Sequence, residues 1–224
     1  VLVLVGCESS GTIRDVFRTL GHEAVSCDLL PTKRPGPHLQ MDVRKAMRLR
    51  RWDLFIAHPP CTFLTVSGRR WFYHPDDSHL SVELRRPHPD YPTRRADEEA
   101  GTAFFMEMAH ADFIPRRAVE NPVGIMSTRY RKPDQIVQPY WYGDDASKKT
   151  CLWLYGLEAL PVPPRDRWYP PRLVYSPRHE KALPRWGNQS DGGGPALGPC
   201  ANRWDIRSAT FPGIAAAMGL SWGC

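Results

Sequence analysis

The chain has 224 residues, 42% of them apolar and 24% charged, which suits one globular domain able to bury a core. Lys and Arg outnumber Asp and Glu by 30 to 24, a modest excess that permits a nucleic-acid partner without requiring one. No membrane partner is expected, because no apolar run approaches the roughly 20 residues a crossing helix needs.

Val1–Val5 is a β-branched run of the kind buried on both faces of a parallel sheet. No basic leader precedes it, so a secretory signal is not expected. Ile13, Val16, Phe17 and Leu20 follow at helical spacing, with Ser9 or Ser10 as N-cap and Gly21 as the stop. Residues 23–27 read as a second strand closed by Asp28. Asp42 opens a short basic helix over 43–51. Residues 53–57 form a third buried strand that runs into His58-Pro59-Pro60-Cys61. Residues 62–92 have no clean period and read as a long, partly mobile loop. Thr93 caps a helix to about Ala111, with Ala96, Ala100, Ala103 and Phe104 on one face. Residues 117–120 form a strand ending at Asn121-Pro122, and 135–142 and 150–154 two more. Ten of the 23 prolines fall between Pro161 and Pro212, so this part should lack long helices and central strands. A last helix runs from Gly213 to about Leu220. The alternation predicts an α/β fold, with an open, mostly parallel sheet carrying helices on both faces.

Several residues could carry chemistry. The turn Gly6, Cys7, Glu8, Ser9, Ser10, Gly11 either lets backbone N–H groups approach a ligand or is an ordinary tight turn. Asp28 either accepts from ribose hydroxyls or is a plain turn residue before Leu29. Asp42 either accepts from an adenine amino group or caps its helix. Cys61 follows two stiffening prolines at a strand's carboxyl end, as a held nucleophile or a buried structural thiol. Glu120, also at a strand end, is its partner in proton work or a surface carboxylate. His58, His74, His79 and His88 lack ligand spacing, so no metal is expected. The six cysteines form no C-x-x-C pair and read as reduced thiols in a cytoplasmic protein. Residues 165–186 interleave Arg165, Arg167, Arg172, Arg178, Lys181 and Arg185 with Trp168, Tyr169, Tyr175 and Trp186. That is either a nucleic-acid-contacting module or a solvated Pro-rich loop.

Taken in order, these residues resemble the DNA cytosine-5 methyltransferases, most of all the compact forms of phage and prophage genomes. Pro60-Cys61 is similar to the family's Pro-Cys nucleophile, with Thr62 where Gln is usual. Glu120-Asn121 is similar to its Glu-Asn pair, with Pro122 where Val is usual. Gly6–Gly11 occupies the cofactor turn without the family's aromatic-Gly-Gly pattern. Lys148 or Lys149 stands where the family's Arg-x-Arg lies.

The resemblance implies a Rossmann-like methyltransferase sheet binding S-adenosylmethionine through Gly6, Cys7, Glu8, Ser9, Ser10, Gly11, Asp28, Leu29, Asp42 and Pro59. It implies catalysis by Cys61, Glu120, Asn121 and Lys148 on a flipped cytosine of double-stranded DNA. Arg69, Arg70, Arg165, Arg167, Arg178 and Lys181 would contact the DNA, and a monomer is expected. Residues 1–155 would be catalytic, 156–205 a small target-recognition segment, and 206–224 a helix packing back on the first part. RNA cytosine-5 methylation, transfer of another one-carbon group to a DNA pyrimidine, and an idle DNA-binding relic are the alternatives.

Overall fold

The computed structural model describes residues 1–198, Cys200 and 209–224, with the side chains of Ser67, Arg69 and Arg70 outside that description. The main sheet has seven strands: β1 (Leu2–Gly6), β2 (Glu23–Asp28), β3 (His38–Gln40), β4 (Leu54–Ala57), β5 (Arg116–Pro122), β6 (Gln135–Val137) and β7 (Thr150–Tyr155). They lie in one sheet in the order β3-β2-β1-β4-β5-β7-β6. The pairs among β1 to β5 are parallel, whereas β7 runs against both of its neighbours. This is the open, mostly parallel α/β sheet that the strand–helix alternation predicts.

The side chains of the central strands alternate between two apolar layers. Val3, Val5, Leu54 and Ile56 face Ile13 and Phe17 of α1 (Thr12–Thr19) and Ile214, Met218 and Trp222 of the C-terminal helix. Leu4, Phe55, Val119 and Trp153 face Phe105 and Met108 of the long helix Arg94–Ala109. Each of these large side chains contributes about 1.5–3 kcal/mol by leaving water. The short helices are α2 (Val43–Ala46) and α4 (Met126–Arg129); the long helix is α3, and Pro212–Trp222 is α5.

Several expectations need correcting. The helix expected over 43–51 lasts one turn, and the sheet edge before it is β3, which pairs with β2 and is too short to show a period. The strand expected over 135–142 stops at Val137, and Pro139 starts a 3-10 turn to Tyr142, because proline cannot donate to a ladder. On α3, Ala96, Ala100 and Ala103 face solvent, and Glu98, Phe105 and Met108 face inward. The larger side chains bury more apolar area, so they set the helix's rotation. Residues 62–92 are built from three 3-10 turns, Val66–Trp71, Pro75–His79 and Val82–Leu84, around buried Leu64, Phe72 and Asp77. The proline-rich part holds an antiparallel ribbon, β8 (Arg172–Ser176) with β9 (Lys181–Arg185), separate from the main sheet. Pro184 is tolerated there because a two-stranded ribbon has only edges.

Candidate active site at the carboxyl edge of the sheet

Register brings the candidate residues to one edge. Gly6 pairs with Cys27 and with Ala57, and Ala57 pairs with Val119, so β1, β2, β4 and β5 end level. Pro122 pairs with Thr150, which places the start of the reversed β7 at the same edge. Open α/β sheets bind ligands outside the carboxyl ends of their strands.

The first turn is held from within. Cys7 and Gly11 have φ of 57° and 73°, the left-handed region. A side chain at Gly11 would also strike the buried guanidinium of Arg14. Ser10 Oγ accepts from the Thr12 N–H at 3.2 Å, while the cap position is Gly11. Glu8 does the rest: its Oε1 accepts from the Ile13 N–H at 2.8 Å and from Ser10 Oγ at 3.0 Å. The other oxygen, Oε2, is buried with no hydrogen-bond partner among the described residues. Asp28 is half-buried, and its Oδ1 accepts from the Leu30 N–H at 2.9 Å; Leu29 beside it is 72% exposed. Asp42 takes its capping role: Oδ1 accepts from the Arg44 N–H at 2.8 Å, and both oxygens meet the Arg44 guanidinium. Those hydrogen bonds hold its carboxyl below the usual range.

The second turn carries Cys61. His58 N–H donates to Gly6 O at 3.0 Å as β4 ends, and Leu64 and Thr65 N–H both donate to Cys61 O. Leu64 is fully buried, and its own carbonyl accepts from Ile125 N–H at 2.9 Å. Cys61 itself is half-buried. The fully buried thiols are Cys27 and Cys151, both pushed up to about 11 by desolvation. Burial pushes the Cys7 thiol up as well.

β5 is bonded to this turn twice. Asn121 Nδ2 donates to Pro59 O at 2.9 Å, in a buried position. Glu120 Oε2 meets His58 Nδ1 at 3.0 Å. Asn121 Oδ1 and His58 Nε2 are buried without a hydrogen-bond partner among the described residues. Burial raises the Glu120 carboxyl, but the His58 hydrogen bond and the Lys148 charge more than offset that and leave it below the ordinary carboxylate range. Glu120 and Lys148 share a narrow cleft with Thr150, Phe211 and Ile214. The Lys148 N–H donates to Gln138 Oε1 at 3.0 Å, which fixes the backbone before β7. His58 is the residue that sequence reasoning misses, since its spacing raises only the question of a metal. On an extended backbone it shares the face of Leu54 and Ile56, which is the Glu120 face of the neighbouring strand.

The basic candidates fall in two segments, one following Cys61 and one in the proline-rich part. Arg165 and Arg167 are exposed in a 3-10 turn, Arg178 is exposed at the tip of the β8–β9 ribbon, and Lys181 is exposed at the start of β9. Arg69 and Arg70 fall in the 3-10 turn Val66–Trp71, and their side chains lie outside the described residues. Two of the interleaved aromatics are structural. Trp186 stacks on Tyr140 with ring centroids 4.1 Å apart, and Trp168 packs on Tyr140 and Trp141. These large rings anchor the ribbon's base, which leaves Tyr169 and Tyr175 as the exposed aromatics of the four.

No protein-family model and no curated protein matches the chain. A solved chain described as a DNA modification methyltransferase encoded within an E. coli prophage is similar with a TM-score of 0.40 and 12% identity. The match covers 74% of this chain and 51% of that one, so this chain matches about half of that chain's length. Among the described residues, no group of three or more His, Cys, Asp and Glu could hold a metal ion.

Proposed function

We propose that this chain transfers a methyl group from S-adenosylmethionine to C5 of cytosine in double-stranded DNA. One observation carries the reading: a half-buried cysteine on a proline-stiffened turn is tied, through His58 and Pro59, to Glu120 and to Asn121 on the next strand. A nucleophile and a proton-handling group held together by a shared framework are what covalent catalysis on a ring requires.

The residues of the first edge turn fit the cofactor. Glu8 Oε2 is a buried acceptor without a donor among the described residues, suited to a cationic amino group. The Asp28 carboxylate suits ribose hydroxyls, and exposed Leu29 offers an apolar face to a purine. Asp42 is committed to its cap and to Arg44, so any adenine contact there uses lone pairs left over. When bound, S-adenosylmethionine supplies an electrophilic methyl group.

The chain's own residues do the remainder. The Cys61 thiolate adds to C6 of the extruded base, which makes C5 nucleophilic. A proton that Glu120 delivers to N3 offsets the negative charge that develops in the ring. That proton is the one the Cys61 thiol gives up on becoming the thiolate, taken up by Glu120 and returned from N3 when the base is released. Asn121 holds the Pro59 carbonyl and with it the aim of the Cys61 turn. After C5 has been methylated, its proton passes to water, and the electron pair left behind expels the Cys61 thiolate from C6. Lys148 supports the charge of Glu120.

Arg178 and Lys181 on the ribbon, with Arg165 and Arg167 before it, would neutralise phosphates, and a two-stranded ribbon has the dimensions of a DNA major groove. Arg69 and Arg70 join them as proposed phosphate contacts. Incubation with labelled S-adenosylmethionine and either duplex DNA or tRNA tests the reading. Label on DNA cytosine C5 supports it; label on tRNA alone refutes it in favour of an RNA substrate.

A further inference from the structure

A second cleft opens between the 62–92 segment and helices α3 and α4, with a volume of about 230 Å³, smaller than the sites of drug-sized molecules (roughly 300–1,000 Å³) and suited to a single small ring. Phe72 and Tyr73 line it from one side, and Arg95, Glu98 and Arg129 from the other. Glu98 is 5% exposed. Its Oε1 accepts from Arg129 Nη2 at 2.9 Å, while its Oε2 is buried with no hydrogen-bond partner among the described residues. A buried carboxylate oxygen without a donor is a costly arrangement unless something else supplies one. Arg129 also bonds Glu99, so its charge is balanced locally, whereas the exposed Arg95 lies 4.9 Å over the Tyr73 ring.

We infer that this cleft binds an amino-bearing nucleobase. The exocyclic amino group donates to Glu98 Oε2, the base packs on Tyr73 and Phe72, and Arg95 meets the phosphate. Each part of the lining has its counterpart in that ligand: an acceptor for the amino group, aromatic faces for the ring, and a cation for the phosphodiester. A free cation is a poorer match, because Arg95 and Arg129 share the cleft with the two carboxylates. The source of the base as a strand of bound DNA rests on the proposed function; the pocket's preference does not. In that role the cleft is a second base-holding site, distinct from the Cys61 edge.

The test titrates dCMP, dAMP, dGMP and dTMP into the intact protein and follows backbone amide shifts by NMR. Wild-type protein is expected to bind at least one amino-bearing nucleotide about tenfold more tightly than dTMP, which has no exocyclic amine. In Glu98→Gln, Arg129 claims the remaining oxygen and the amide nitrogen faces the ligand, donor against donor. That preference should then vanish or reverse toward dTMP. Tyr73→Ala, at a half-exposed position, should weaken all bases by about tenfold with the fold intact. Equal affinities in the wild type, no saturable binding, or an unchanged Glu98→Gln protein overturns the inference. Cys61→Ala should retain the nucleotide preference while losing methyl transfer. A protein that keeps the preference but never labels DNA would therefore sink the proposed function and leave the pocket standing.

Discussion

His58 Nδ1 and Glu120 Oε2 lie 3.0 Å apart and join the ends of two adjacent parallel strands beside the Cys61 turn. The bond couples the electrostatics of Glu120 to the segment that carries Cys61. It also gives Glu120 a folded-state pKa below its ordinary value, despite burial.

The consequence for stability has a definite sign. A carboxyl with a depressed folded pKa stabilises the protein above its unfolded pKa, about 4.3 for Glu, and that contribution is lost as pH falls through the folded value. Thermal unfolding below about pH 4.3 should therefore show a steeper loss of Tm in the wild type than in Glu120→Gln. The same substitution should lower methyl transfer by about 10²–10⁴-fold, a typical range for removing an acid–base group. Parallel Tm curves for the two proteins would argue against the depressed pKa.

Asn121→Ala removes the donor to Pro59 O from a buried site. A loss of about 1–3 kcal/mol in denaturant unfolding is expected, because the carbonyl is left without its partner. Single-turnover transfer should fall at least about tenfold with DNA affinity unchanged, since misplacement of a reacting group costs rate more than binding. An equal fall in DNA affinity would contradict a role confined to aiming the turn.

Gly124 lies against the backbone of the Cys61 turn, where an added Cβ would collide with the carbonyl of Leu64. Neither atom is the end of a flexible side chain, so the backbone must shift. Gly124→Ala should destabilise the protein by about 1–3 kcal/mol, as overpacking does. It should also slow alkylation of Cys61 relative to Cys200, read by mass spectrometry. Unchanged alkylation would mean that the turn adapts freely.

Trp186 stacks on Tyr140 at the base of the ribbon, and its indole N–H donates to Tyr169 O at 3.2 Å. Trp186→Ala should cost about 3–5 kcal/mol where the site is fully buried. Here the loss should be local, with faster tryptic cleavage between Arg165 and Arg185 and an unchanged rate in the main sheet. Replacing Arg178 and Lys181 together by alanine should reduce the slope of log K against log salt for DNA binding by about two, roughly one for each phosphate that is no longer neutralised. An unaltered slope would place the DNA elsewhere.

Much of the candidate edge is legible in the sequence, because strands buried on both faces leave continuous apolar runs. Val1–Val5 and residues 53–57 mark β1 and β4, and the residues just past such runs are the edge itself. Cys61 and Glu120 stand out in this way. His58 does not, since its role depends on β4 and β5 being neighbours, and pairing between strands about 60 residues apart leaves no local trace. β3 and the β8–β9 ribbon escape for another reason. One has three residues, and the other mixes Pro, Arg and Lys into strands with no buried face to impose alternation. The aromatics of 165–186 look like a binding surface because composition does not reveal that Trp168 and Trp186 pack on Tyr140.

The central claim is that Cys61 attacks C6 of a cytosine whose C5 then receives the methyl group. Duplex DNA carrying 5-fluorocytosine tests it most directly, because fluorine at C5 cannot leave as a proton and the C6–S bond cannot break. Incubation with S-adenosylmethionine should give a denaturation-resistant protein–DNA adduct, with the Cys61 peptide bearing the nucleotide in mass spectrometry and no adduct from Cys61→Ala. The absence of an adduct from a wild-type protein that methylates ordinary DNA, or an adduct at any other residue, would contradict it.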